Sequence, residues 1–175
     1  LYEILILKNN TVNVVHLNKG GKKDTYYRGE KTFNLGYAGN NGVFSSIKEV
    51  DGDTIYKVKY TIKNNTRHTP NSNSNSNEFK LFIGGSFIFG EGLNGDETLP
   101  YYYNSLSGCK YNIRNYGFSG YGTHQAYSIV KNIICKDSLI LANSKTTNVI
   151  YDFHLFHLLR AAGYDVKLFC PQAPQ

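Results

Sequence analysis

Ser86 follows an apolar run and two glycines, in Leu81-Phe82-Ile83-Gly84-Gly85-Ser86, and a hydroxyl so placed is a candidate nucleophile. A strand ending in two glycines turns sharply. It delivers Ser86 at the carboxyl edge of a sheet, where open α/β folds build their sites. A serine hydroxyl is weakly nucleophilic at neutral pH, so this chemistry needs a neighbouring base, conventionally a histidine oriented by a carboxylate. After Ser86 the chain offers His124, His154 and His157. His154 and His157 are three residues apart and share a face if a helix has begun there. A metal pair would be spaced the same way, but no third ligand falls at a convincing distance along the chain, and neither a metal nor another cofactor is expected. The loop Gly90-Glu91-Gly92-Leu93-Asn94-Gly95 lacks the Gly-Lys-Ser/Thr of a phosphate cradle. Glu91 and Asp96 sit in that loop, where nothing fixes their separation for glycoside cleavage.

The elements around Ser86 fall into two stretches. Residues 71–77 are Asn-Ser-Asn-Ser-Asn-Ser-Asn, a polar tract that reads as a loop or linker. Before it, short alternating segments at 2–7, 12–17, 32–37, 42–47 and 55–62 are separated by turn pairs such as Asn9-Asn10, Gly20-Gly21 and Asp51-Gly52. Along residues 55–62 apolar and polar side chains swap at nearly every step, the period of a half-buried strand. After the tract the period changes. Strands are predicted at 79–84, 111–116, 148–153 and 165–170, and helices at 97–106, 123–135 and from 154 through Ala162. Pro100 is tolerated only in the first turn of its helix. Strand alternating with helix argues for a parallel sheet covered by helices. The expected organisation is a β-rich module over 1–70, a linker over 71–78 and an α/β domain over 79–175.

Composition sets further bounds. A chain of 175 residues with 41% hydrophobic and 14% aromatic content is long and apolar enough to bury a core. Its formal charge of +6 is scattered, with one tight cluster at Lys19, Lys22 and Lys23, so a nucleic-acid partner is not expected. No apolar run approaches the length of a membrane span. Cys109, Cys135 and Cys170 contain no C-x-x-C pair and force neither a zinc site nor a disulfide framework. The chain begins at Leu1 rather than methionine, which reads as a processed or trimmed product and favours an extracytoplasmic location.

Three spaced blocks carry a family resemblance: Gly84-Gly85-Ser86-Phe87-Ile88-Phe89-Gly90-Glu91-Gly92, then Glu97-Thr98-Leu99-Pro100, then Asn115-Tyr116-Gly117-Phe118-Ser119-Gly120-Tyr121-Gly122. Together with Tyr60-Thr61-Ile62 and Arg67-His68-Thr69-Pro70, they resemble the SGNH (GDSL-type) hydrolases, in the branch with a small N-terminal β module. The resemblance spans residues 35–163 and is strongest over 82–122. It implies a flavodoxin-like parallel sheet with helices on both faces, and a serine esterase or acylhydrolase in which Ser86 attacks an ester carbonyl. Carbohydrate O-acetyl groups are among the substrates it suggests. A non-catalytic scaffold that kept the fold, and acyl transfer to a sugar, remain open beside it.

The resemblance assigns roles to three residues and leaves one role unfilled. Ser86 matches the nucleophile and Gly120 the second-block glycine whose N–H points into the oxyanion hole. In the third block the family's usual glycine and asparagine are replaced by Tyr151-Asp152-Phe153-His154-Leu155-Phe156-His157-Leu158-Leu159-Arg160. The branch commonly has a histidine followed three residues later by arginine, which His157 and Arg160 reproduce, so His157 takes the asparagine's place as oxyanion donor. The family's Asp-x-x-His near the C-terminus has no counterpart after Ser86. That implies a domain cut short after Gln175, whose partner is a further segment of the same protein, or a base drawn from His124 or His154.

Overall fold

The alternation along residues 55–62 builds β5 (Asp53–Lys63), which forms a hairpin with β4 (Gly42–Val50) through the Asp51-Gly52 turn. Asp51 has φ 52° and Gly52 φ 91°, the left-handed pair that matches the twist of a two-residue hairpin. The computed structural model describes residues 12–17, 21, 26–28 and 35–161. Within them the chain is an α/β protein on a mixed seven-stranded sheet. β1 (Val12–Leu17) pairs with β4, and β6 (Thr66–Arg67) with β5, all antiparallel. β7 (Phe79–Ile83) lies between β8 (Asn112–Asn115) and β9 (Asn148–Tyr151), parallel to both. The sheet order is β1-β4-β5-β6-β8-β7-β9, and β2 (Tyr27–Arg28) with β3 (Ala38–Gly39) forms a separate two-stranded ribbon.

The parallel sheet expected from the sequence is therefore three strands of a mixed one. The β-rich strands join it at one register pair, Arg67 opposite Asn115. Arg67 is 2% exposed and lies over the rings of Tyr60 (4.5 Å) and Phe89 (5.0 Å), while its Nη2 donates to the carbonyls of Leu93 (2.9 Å) and Lys59 (3.3 Å). Burial pulls the guanidinium pKa down to about 10. One side chain thus ties β6 to the loop that follows Ser86.

β7 is buried along its whole length, as a strand covered on both faces must be. Phe79, Leu81 and Ile83 belong to a core with Ala126 and Ile129 of α3 (Thr123–Asn132) and Ile140 of α4 (Ser138–Ala142). Phe82 faces the other way, with Ile88 of α1 (Ser86–Phe89) and Ile113, and meets Tyr103 of α2 (Leu99–Leu106) edge-on at 5.4 Å. Lys80, buried in this strand, bonds Asn148 and sits over the Tyr111 ring at 4.3 Å. α5 (Leu155–Ala161) follows β9. Among the described residues no helix is long and apolar enough to cross a membrane.

Boundaries shift in instructive ways. Leu35 is buried in the core without belonging to a strand, and the strand predicted over 32–37 is replaced at its described end by β3. The helix predicted over 97–106 begins two residues later, because Asn94 and Glu97 cap a separate 3-10 turn. The helix over 123–135 stops at Asn132, and α4, absent from the sequence reading, starts where Asp137 accepts from the N–H groups of Leu139 and Ile140. The Asn/Ser tract is a pinned loop: Asn71 donates to Tyr101 O and Ser105 Oγ, and Ser72 bonds both backbone groups of Ile113. The segments at 2–7 and 165–170 lie outside the described residues.

Two histidines make folding sensitive to acid. Burial lowers the pKa of His16, against the pull of Glu91, and burial with Lys63 and Arg67 nearby lowers that of His68. Both folded values lie below the ordinary 6.5, so the unfolded chain takes up protons first as pH falls. The stability involved is complete above pH 6.5 and is lost as pH drops through the folded values. The melting temperature is expected to fall between pH 7.5 and about 5, and His68→Gln is expected to flatten that slope, measured by thermal unfolding across the range.

Candidate active site

The turn between β7 and α1 leaves little room for a side chain at its first position. A Cβ on Gly84 would come within 2.5 Å of Ile88 Cγ1 and 3.1 Å of Asp152 Cβ. Gly85 then precedes Ser86, which opens α1 and is half-buried. The Ser86 carbonyl accepts from the N–H groups of Gly90 (2.9 Å) and Glu91 (3.0 Å), and Gly90 closes the helix at φ 76°. Among the described residues nothing hydrogen-bonds the Ser86 hydroxyl.

β9 brings the second set of groups to the same sheet edge. The Asp152 N–H donates to Ile83 O at 3.0 Å, which sets Asp152 beside the Gly84 turn. Its Oδ2 lies 2.8 Å from His154 Nε2, with the two side chains 26% and 36% exposed. A carboxylate only accepts, so His154 carries a proton on Nε2 and, when neutral, presents Nδ1 as a base. The His154 ring rests against Phe87, the residue after Ser86, with centroids 4.8 Å apart.

His157 is held differently. It is 3% exposed, stacked on Tyr151 at 5.8 Å, and its Nδ1 meets the Tyr151 hydroxyl at 3.0 Å and the His154 N–H at 3.4 Å. A backbone amide can only donate, so Nδ1 accepts and the neutral ring carries its proton on Nε2. That Nε2 stands 3.6 Å from where a Cβ on Gly85 would be. The His157 ring is thus a donor aimed at the Ser86 turn. His124 is exposed on the first turn of α3 and makes no hydrogen bond among the described residues.

The loop from β8 to α3 closes the third side. Asn115 donates to Ile88 O at 2.8 Å and accepts from Gly117 N–H at 2.9 Å, which fixes the loop to α1. Tyr121 O lies 3.4 Å from the Cβ position of Gly85, so this loop touches the Ser86 turn. Gly120 has φ 81°, and a Cβ there would strike the Tyr37 hydroxyl at 2.5 Å. Tyr37 donates to Ser119 O, and Ser119 Oγ donates to Glu91 Oε2 at 2.7 Å, which joins this loop to the one after α1.

Ser86 and Phe87 line an open cleft of about 310 Å³ whose far wall is the β4–β5 hairpin, through Lys48 and Tyr56. A second cavity of about 240 Å³, beside Arg114 and Asp137, contains none of the candidate residues. Among the described residues no three His, Cys, Asp or Glu side chains converge as a metal site would require. Cys109 and Cys135 are free and exposed.

The structure brings Ser86, Gly120 and His157 to one edge and adds four residues that sequence reasoning missed. Asp152 has a local signal, an acid two residues before His154, which a strand predicted through 153 conceals, whereas β9 ends at Tyr151. Gly117, part of the second block but without a role there, and Lys48 and Tyr56 reach this edge through contacts remote in sequence. Searches against protein-family models, curated proteins and solved structures found no match to this chain.

Proposed function

We propose that this chain carries the nucleophile of an SGNH-type serine ester hydrolase with a flavodoxin-like arrangement of its parallel strands. The observation that carries the reading is the Asp152–His154 pair set against the Gly-Gly-Ser86 turn. The order β8-β7-β9 supports the fold, since the first parallel strand lies between the second and the third. β7 and β9 then flank a switch point, and the crevice outside the carboxyl ends of such strands is where these sheets bind ligands.

In this reading His154 Nδ1 takes the Ser86 proton as Oγ attacks the acyl carbonyl, and Asp152 stabilises the imidazolium that forms. Contacts of this kind are commonly long before substrate binds and tighten in the complex. The oxyanion is met by the N–H of Ser86, by that of Gly120 and by His157 Nε2–H, which takes the place of the family's asparagine. The C–O bond of the alcohol breaks, the imidazolium proton goes to the departing alkoxide, and an acyl-serine remains. Water, deprotonated by the same histidine, attacks that acyl group and restores the Ser86 hydroxyl.

A fluorophosphonate probe tests the nucleophile directly. Incubation followed by peptide mapping is expected to place one phosphonyl adduct on Ser86. No adduct, or one on another residue, would remove Ser86 from the reaction.

A further inference from the structure

Resting on the ester-hydrolase reading, we propose that the cleft beside Ser86 holds an acyl chain of a few carbons that ends in an anionic group, and that Lys48 reads that group. The assignment of the cleft to the acyl side follows from the proton inventory. The departing alcohol must lie against the group that protonates it, His154, and neither His154 nor Asp152 lines this cleft. The acyl chain stays bonded to Ser86 Oγ and runs into the space that Ser86 does line. That space is bounded by Phe87 and Leu93, which are 72% and 39% exposed and present apolar surface to a hydrocarbon chain.

The far wall supplies the charge. Lys48 lies directly opposite Tyr56 across the hairpin, and the register between the strands slips at Lys48/Glu49. Irregularities of this kind re-aim side chains beside functional sites. Lys48 is half-buried, and among the described residues it makes no ion pair and no hydrogen bond. The other charged side chain of the cleft, Glu91, accepts from Ser119 Oγ. Tyr56 is held as a neutral phenol, its pKa pushed up to about 12 by burial and by the neighbouring Tyr60. A cleft with one uncommitted cation, apolar flanks and a volume of about 310 Å³, at the lower end for small-ligand sites, suits a short carboxylate-terminated acyl group.

The hairpin wall is firmly placed. The Lys59 N–H donates to Asn94 Oδ1 at 3.0 Å, the Gly92 N–H donates to the Tyr60 hydroxyl at 2.9 Å, and a Cβ on Gly92 would sit 3.0 Å from the Tyr56 ring. The strands far from Ser86 in sequence are thereby fixed against the loop that follows it.

The test compares 4-nitrophenyl hexanoate with the 4-nitrophenyl monoester of adipate, chains of equal length that differ by a terminal carboxylate. In parallel, free hexanoate and adipate are titrated calorimetrically into the full chain. Wild type is expected to favour the adipate ester in kcat/KM. Lys48→Ala is expected to lower the adipate-to-hexanoate ratio about fivefold and Lys48→Glu about tenfold or more, while Glu91→Gln raises it. An adipate-to-hexanoate ratio that stays within twofold of wild type in both Lys48 variants overturns the proposal. Adipate bound in a Lys48-dependent way without cleavage of either ester would defeat the hydrolase reading and uphold the anion site. Cleavage indifferent to Lys48 would defeat the anion site alone.

Discussion

Ser86→Ala is expected to cut turnover of an activated aryl ester by roughly 10⁴-fold or more while leaving the melting temperature almost unchanged. The two halves of that expectation have separate physical grounds. In the proposed mechanism the Ser86 hydroxyl is the group that forms the acyl bond. The donors around it remain and sustain only a residual rate over water. Stability should hold because nothing among the described residues hydrogen-bonds the hydroxyl, so its removal leaves no buried partner unsatisfied. Steady-state rates and a thermal melt on the same preparation check both halves. Turnover within tenfold of wild type would mean that Ser86 is not the nucleophile, and the Asp152–His154 pair would then act on water directly. Absence of turnover in wild type and variant alike would favour a scaffold that kept the fold without the chemistry.

The parts of this site that the sequence displays are those encoded locally. An apolar run stopped by two glycines places Ser86 at a strand end, and β7 and α1 form there. The alternation along β5 and the helical spacing of Ala126 and Ile129 in α3 likewise depend on near neighbours. What stays hidden depends on pairing across the sheet. The single register pair between Arg67 and Asn115 merges the β-rich strands with the parallel ones, and no periodicity in either segment announces it. Its consequence is spatial, because the β4–β5 hairpin supplies Lys48 and Tyr56 to the cleft that Ser86 lines. The histidines illustrate the same limit. His154 and His157 are three residues apart, yet one meets a carboxylate and the other a half-buried tyrosine and a backbone amide. Only the neighbours distinguish the two rings.

Gly117→Ala is expected to damage both folding and chemistry, and it isolates the contact that holds Ser86 in place. A Cβ at this position would lie 2.5 Å from Phe89 N, 2.6 Å from Ile88 Cγ2 and 2.7 Å from Ile88 C. Two of those atoms are backbone, so no rotamer change relieves the overlap and α1 itself must move. Overpacking of this kind costs about 1–3 kcal/mol, occasionally more, which for a chain of this size lowers the melting temperature by several degrees. The same displacement shifts Ser86 relative to His157, which sits on α5, and to His154, in the loop between β9 and α5. A misplacement of about 1 Å is enough to cost on the order of 10²-fold in rate. Gly108→Ala provides the contrast, since its φ of 73° strains an alanine but nothing lies within 4 Å of the added methyl. Both variants should melt earlier than wild type, and only Gly117→Ala should also slow phosphonate labelling of Ser86. Equal labelling rates in the two variants would show that the approach of the β8–α3 loop to α1 serves the fold alone. Slower labelling confined to Gly117→Ala would place that approach within the machinery that aims the nucleophile.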